Sequence, residues 1–263
     1  MKIVPVAPSL FVSHGSPTFA LDAGEYGRAL EHFGEEFPRP AATVIVSAHW
    51  EAGWPIRVGA AARPPLLYDF AGFPKALYEI TYRAPGSPDL AGEVVRMLSD
   101  AGLPAEPDPR VWVPLRLLYP DASVPVVEVS LPLPRHPQTV VRMGAALAPL
   151  RHRGILLLGS GGVVHNLHLA RLDRADGPID EWARRFDDWV REKIERRKKD
   201  ALVRYRELAP HAELAVPASE HFDPLLFALG ASEESDSVEQ LSSGFRYQNL
   251  SLASFAFVRN GDR

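Results

Sequence analysis

The chain has 263 residues, 46% of them hydrophobic and 24% charged, enough to bury a substantial core under a solvated surface, and it reads as one domain over residues 1–263. A formal net charge of −4 supplies no basic field for nucleic acid or an anionic membrane, and no apolar run reaches the ~20 residues that span a bilayer. With no cysteine there are no disulfides and no thiolate metal sites, so any metal must be held by nitrogen and oxygen, and the composition fits a reducing cytoplasm.

The opening stretch MKIVPVAPSLFVSHGSP is apolar but interrupted by Pro5 and Pro8 and lacks a small-residue cleavage site, so it reads as the approach to a first strand rather than a signal peptide. That strand is expected at 9–13. A helix at 22–36 and a strand at 43–48 follow, then the proline-rich loop AARPPLLYDFAGFP, a helix at 89–101 and a second proline-rich loop, PAEPDPRVWVPL. Next come a strand at 125–131, a helix at 137–150, a strand at 154–160 and the glycine-rich turn GSGG. The helix expected at 180–198 gathers Trp182, Phe186, Trp189 and Val190 on one face amid charges. Residues 231–244, ASEESDSVEQLSSG, read as a mobile acidic surface loop, and 252–258 as a last strand. This alternation predicts an α/β fold, a sheet covered by helices.

Three histidines share one context. His14 in LFVSHGSP, His49 in VIVSAHWE and His165 in LLLGSGGVVHN each follow a buried-strand pattern. In a parallel sheet they emerge at one edge, where α/β proteins bind their ligands. Imidazole is both the commonest metal ligand and the side chain best suited to proton transfer near neutral pH, so such a cluster serves either role. His221, in ASEHFDPLLFALG, is a fourth candidate near a helix start. Glu51, Glu220 and Asp223 lie beside these histidines as carboxylate ligands or as acceptors for a ligand's second ring nitrogen. His32, His136, His152 and His211 read as surface residues. His168 shares a helix face with His165 if the segment is helical, and reads as a packing or supporting group.

GSGG lacks the Lys and Ser/Thr of a P-loop and the spacing of a dinucleotide fingerprint. Leu158 stands where a nucleophile elbow has its first glycine, so Ser160 is a poor nucleophile. The remaining role for Gly159, Gly161 and Gly162 is conformational: a sharp turn and close approach to a bound ligand, aiming His165 into the crevice.

Taken in order, FVSHGSPT, VSAHWE, YDFAGFPKALYEITYRAPG, VWVPLRLLYP, GSGGVVHNL and EHFDPLLFALGA resemble the class III extradiol ring-cleaving dioxygenases, in the branch of the 4,5-DOPA dioxygenases, over nearly the whole chain. The resemblance implies a single α/β domain with a central mostly parallel or mixed sheet and helices on both faces, and one mononuclear metal per chain, Fe(II) in active enzymes, with Zn(II) able to occupy the same site. It implies His14, His49 and His221 as the metal ligands and His165 as the acid/base residue. Its partners are a small aromatic diol and O2. Tyr68, Phe73 and Trp112 are expected to enclose the ring, and Arg110 to meet a substrate carboxylate. One departure stands out: the family commonly carries Asp-His-Gly-x-Trp before VPL, whereas this chain reads Asp108, Pro109, Arg110, Val111, Trp112. Proline cannot donate, accept or shuttle a proton, so compensation by another group or a different substrate is expected. The sequence therefore reads as a metal-dependent extradiol dioxygenase opening a catechol-type ring with O2. The alternatives are a non-catalytic metal- or ligand-binding member of the same fold and a zinc-dependent hydrolase using the same ligands.

Overall fold

Four strongly apolar runs, SLFVS, ATVIVSA, VVEVSL and ILLLGSG, occupy the middle of the sheet and are buried on both faces, the pattern demanded of parallel strands covered by helices. The computed structural model describes residues 5–65, 72, 74–108, 118–119 and 121–261. In chain order the strands are β1 (Ser9–Ser13), β2 (Ala42–Gly53), β3 (Ile56–Gly59), β4 (Ala105–Asp108), β5 (Val126–Leu133), β6 (Ile155–Gly161), β7 (Asp236–Ser242), β8 (Phe245–Arg246), β9 (Leu250–Ser251) and β10 (Ser254–Arg259). Among the described residues, eight of them form one sheet in the order β4-β3-β5-β2-β6-β1-β10-β7, and β8 and β9 form a small separate hairpin.

The central four strands, β5, β2, β6 and β1, run parallel. Antiparallel β10 and β7 extend the sheet on one side; β3, antiparallel to β5, and β4 extend it on the other. The sheet is thus mixed, with a parallel centre.

Strand alternation divides the core into two layers. Phe11, Val44, Val46 and Leu157 face the helices Pro88–Asp100, Pro137–Leu147 and Asp223–Ala231. Leu10, Val12, Ile45, Leu156 and Leu158 face the helix Gly24–Glu36 through Tyr26, Leu30 and Phe33. Helix Asp223–Ala231 is buried on every side, as its sequence DPLLFALGA requires, since it has no polar face to offer water. Among the described residues no helix is long and apolar enough to cross a membrane.

Three expectations need correction. Residues 231–244 do not form a loop: Asp236–Ser242 is an edge strand paired with β10, and its charges sit where an edge strand discourages further pairing. The short edge strands β3 and β4 were not expected; four residues give too little periodicity, and Pro107 in β4 is tolerated only because that strand is at an edge. The helix expected at 180–198 runs Glu181–Glu195, and besides Phe186 and Val190 its inner face carries a buried carboxyl, Asp187. At the far side of the sheet Arg151 and Asp236, both fully buried, form a two-pronged pair at 2.7 and 3.0 Å. Arg151 also donates to the carbonyls of Ala7, Ala231 and Phe257.

Candidate metal centre

The ladder between β1 and β6 ends with Ser13 opposite Gly161, and the His14 amide then donates to the Gly161 carbonyl at 3.0 Å. β2 flanks β6 on its other side, Ser47 opposite Ser160. The pairing of β2 with β5 shifts register between Val46 and Glu51, and His49 lies in that irregular stretch, a device that re-aims a side chain. His221 comes from the turn before helix Asp223–Ala231, its carbonyl accepting from the Gly162 amide at 2.8 Å. Three unrelated segments are thus pinned to the end of β6.

The ring centroids of His14, His49 and His221 form a nearly equilateral triangle, 4.8, 5.2 and 5.4 Å on a side. One ligand atom from each lies within 4.8 Å of the other two. Nε2 of His14 and Nε2 of His49 are 3.2 Å apart. Two nitrogens bound at ~2.05 Å to a tetrahedral ion stand about 3.3 Å apart, so the observed spacing fits an edge of a metal polyhedron. The opposite ring nitrogens are occupied. Nδ1 of His14 faces Ser160 Oγ at 3.0 Å, and Nδ1 of His221 faces Glu220 Oε1 at 3.1 Å. A donor–acceptor pair at Nδ1 leaves Nε2 unprotonated and free to ligate. Burial, then the neighbouring His49, His221 and His165, hold the His14 pKa well below its ordinary value, so its imidazole is neutral.

His165 is placed beside this group rather than within it. Its ring stacks on His221 at 3.5 Å between centroids and 6° between planes, and its amide is fixed by the Ala215 carbonyl at 3.0 Å. Burial first, and then the adjacent His221, lower its pKa to about 3, while Glu220 pulls in the opposite direction. Glu220 itself is lowered to about 2, chiefly by its hydrogen bond to His221, and stays a carboxylate.

The glycines act differently from expectation. A Cβ on Gly159 would lie 2.0 Å from the Pro224 carbonyl oxygen, and one on Gly161 would lie 2.1 Å from that of His221. They let the backbone of the His221 turn and helix lie directly on β6, rather than admitting a ligand. Ser160, set aside as a nucleophile, contacts His14 instead. His168 is exposed in a turn, so it neither packs nor shares a helix face with His165. Tyr68, Phe73, Pro109, Arg110 and Trp112 lie outside the described residues.

Sequence reasoning missed Arg135. Its guanidinium, 5% exposed, donates to Asp223 Oδ2 at 2.6 Å and to Glu51 Oε1 at 2.7 Å, with longer contacts to the Pro132 carbonyl and Ser219 Oγ, both 3.4 Å. Ser219 Oγ donates in turn to Asp223 at 2.8 Å. Burial pushes the Asp223 carboxyl up and Arg135 opposes it. The available signal was positional: Arg135 follows β5, which runs parallel to β2, so it emerges at the same sheet edge as His49.

A family profile described as the catalytic LigB subunit of aromatic ring-opening dioxygenase matches residues 9–258. The chain belongs to the LigB family. It is 33% identical over 263 residues to a 4,5-DOPA dioxygenase extradiol of Beta vulgaris, covering 96% of this chain and 97% of that one. Against a protein of the same name from Escherichia coli (strain K12) it is 36% identical over 257 residues, covering 94% and 93%. A crystal structure of an Escherichia coli K12 protein matches with a TM-score of 0.81 at 33% identity, over 95% of this chain and 99% of that one. As a member of the family, this chain is an α/β protein whose relatives carry the name of extradiol dioxygenases, and its sheet edge holds three histidines spaced to take a metal ion.

Proposed function

We propose that this chain is a metal-dependent extradiol dioxygenase that opens a catechol-type ring with O2, with His14, His49 and His221 holding one Fe(II). The observation that carries the reading is the convergence of three imidazoles, with the Nε2 atoms of His14 and His49 3.2 Å apart and a fourth, neutral imidazole stacked on His221 outside the ligand set. An all-nitrogen set also accommodates Zn(II). Three neutral ligands leave the ion's double charge uncancelled, which favours a bound catecholate.

A bound ferrous ion supplies open positions for both catechol oxygens and for dioxygen. His165, neutral because it is buried against His221, accepts a proton from the catechol hydroxyl and later returns one as the ring opens. Glu220 steadies the imidazolium that forms and keeps the His221 Nδ1 proton engaged. The severed bond joins one hydroxyl-bearing carbon to its neighbour outside the diol, and one oxygen atom of O2 ends on each of those two carbons. Tyr68, Phe73 and Trp112 are assigned to enclosing the ring and Arg110 to a substrate carboxylate.

The test is to load the protein with Fe(II) anaerobically, add a panel of catechols, admit air and follow the yellow ring-opened product. Product that forms only with iron and air together supports the proposal. A folded, iron-loaded chain that turns over no catechol contradicts it.

A further inference from the structure

We infer that Arg135 is a positioning residue that locks two of the three metal-ligand arms to each other. The inference rests on reading His14, His49 and His221 as a metal centre. Glu51 lies two residues beyond His49 on β2, and Asp223 lies two residues beyond His221 at the start of its helix. These arms are 172 residues apart in sequence, and the guanidinium joins them: Nε donates to Asp223 Oδ2 and Nη1 to Glu51 Oε1, while Nη2 reaches Ser219 Oγ in the turn that holds Glu220 and His221. The Nη1 contact to the Pro132 carbonyl anchors the fork to the end of β5.

The planar fork suits this work because its donors diverge in fixed directions, so one side chain can engage both carboxylates and the hydroxyl together. A lysine in its place keeps the charge but supplies a single point of attachment. The His14 arm needs no such tie, since its backbone is already bonded to Gly161 and its ring to Ser160. The His49 arm lies in the irregular stretch of β2, which rejoins β5 at Glu51, and the His221 arm is a turn held to β6 by the Gly162 amide; the two share no ladder pair among the described residues, and the fork joins them directly.

A purely structural role, attaching helix Asp223–Ala231 to the sheet, makes a different prediction from the positioning role. Under the structural role only the Asp223 contact matters. Under the positioning role the Glu51 contact, which does not touch the helix, matters to the metal as well. The experiment measures Co(II) and Zn(II) affinity by chelator competition, together with the Co(II) visible spectrum, on the full chain well below its melting temperature. The variants are Glu51→Gln, Arg135→Lys, Arg135→Gln and the double variant Glu51→Gln with Arg135→Gln.

Loss of an outer partner of a ligand typically costs about 10- to 100-fold in metal affinity. Glu51→Gln, at a carboxylate that is partly exposed, is expected to leave the chain folded, to weaken binding by about 10-fold and to shift the Co(II) bands. Arg135→Lys is expected to weaken binding at least as much, with no rescue by the retained charge. In the Arg135→Gln background, Glu51→Gln is expected to add nothing, because the tie is already gone. Wild-type affinity and spectrum in folded Glu51→Gln and Arg135→Lys would overturn the inference. A wild-type chain that takes up no metal would overturn the metal-centre reading itself, and the inference with it.

Discussion

At the scale of single residues, His165 and the trio His14, His49 and His221 are assigned different jobs because His165 stacks on His221 outside the triangle that the other three form. His165→Ala removes a proton carrier but no ligand, so it is expected to retain one metal ion per chain and to lose about 10²- to 10⁴-fold in turnover. Metal content and turnover measured on the same preparation check this, and metal loss in step with activity contradicts it. Asp187 offers a second prediction. Burial raises its carboxyl from 3.8 to about 6, while Ser251 donates to it. A raised folded pKa means that the native state binds the proton more tightly than the unfolded chain, so this contribution to stability is present below about pH 4 and is lost as pH rises through about 6. Asp187→Asn keeps an acceptor for Ser251 without the charge. It is expected to stabilise the protein at pH 7.5 by up to about 3 kcal/mol, with the gain vanishing near pH 4, as urea unfolding at the two pH values will show. His14, His49 and His165 were legible from their position after apolar runs. Asp187 was not, since an acidic residue on a charged helix gives no sign of facing inward until the stripe Ala183, Phe186, Val190, Ile194 is seen to include it. Arg135 was hidden for a similar reason: a lone arginine among prolines becomes informative only when its two carboxylate partners are known.

At the scale of elements, the helix after His221 and the strand before His165 set the site through direct backbone contact. Gly159 and Gly161 are the points where that contact is closest. Gly161→Ala puts a methyl against the His221 carbonyl and is expected to cost about 1–3 kcal/mol and to weaken metal binding, because the turn must move away from β6. Gly162→Ala serves as the comparison, since its nearest neighbours lie at 3.6 Å or beyond, an ordinary contact, and its stability should change by less than about 0.5 kcal/mol. Thermal melts with and without metal separate the two. The central strands were readable because they are apolar on both faces and bounded by turn residues. β7 was misread as a loop because Asp-Ser-Val-Glu-Gln-Leu-Ser is polar at an edge, where half its surface meets solvent and charge is a normal feature of the strand.

At the scale of the whole molecule, the edge that carries the three histidines lies at one end of the parallel strands, while at the other end a buried ion pair joins Arg151, just before β6, to Asp236 at the start of β7. Arg151 and Asp236 are both fully buried, and Asp236→Asn leaves a buried guanidinium without its counter-charge. The expected loss is about 3–5 kcal/mol, read by denaturant unfolding. The α/β class followed from the alternation of strand and helix patterns, the mixed sheet with helices on both faces was implied by the resemblance, and the six ordered motifs singled out the histidines before their distances were known. What the motifs could not give is the role of the stretch where Pro109 stands in place of the histidine that the resemblance expects, which lies outside the described residues. On the function proposed, three histidines hold a metal at which O2 is incorporated, rather than one at which water attacks. Its most direct test is a single turnover of iron-loaded protein with a catechol under ¹⁸O2 in unlabelled water, with the product analysed before its carbonyl oxygen exchanges. Both labelled atoms in the ring-opened product are predicted; a product whose new oxygen comes from water, or one formed equally well without O2, would contradict the account.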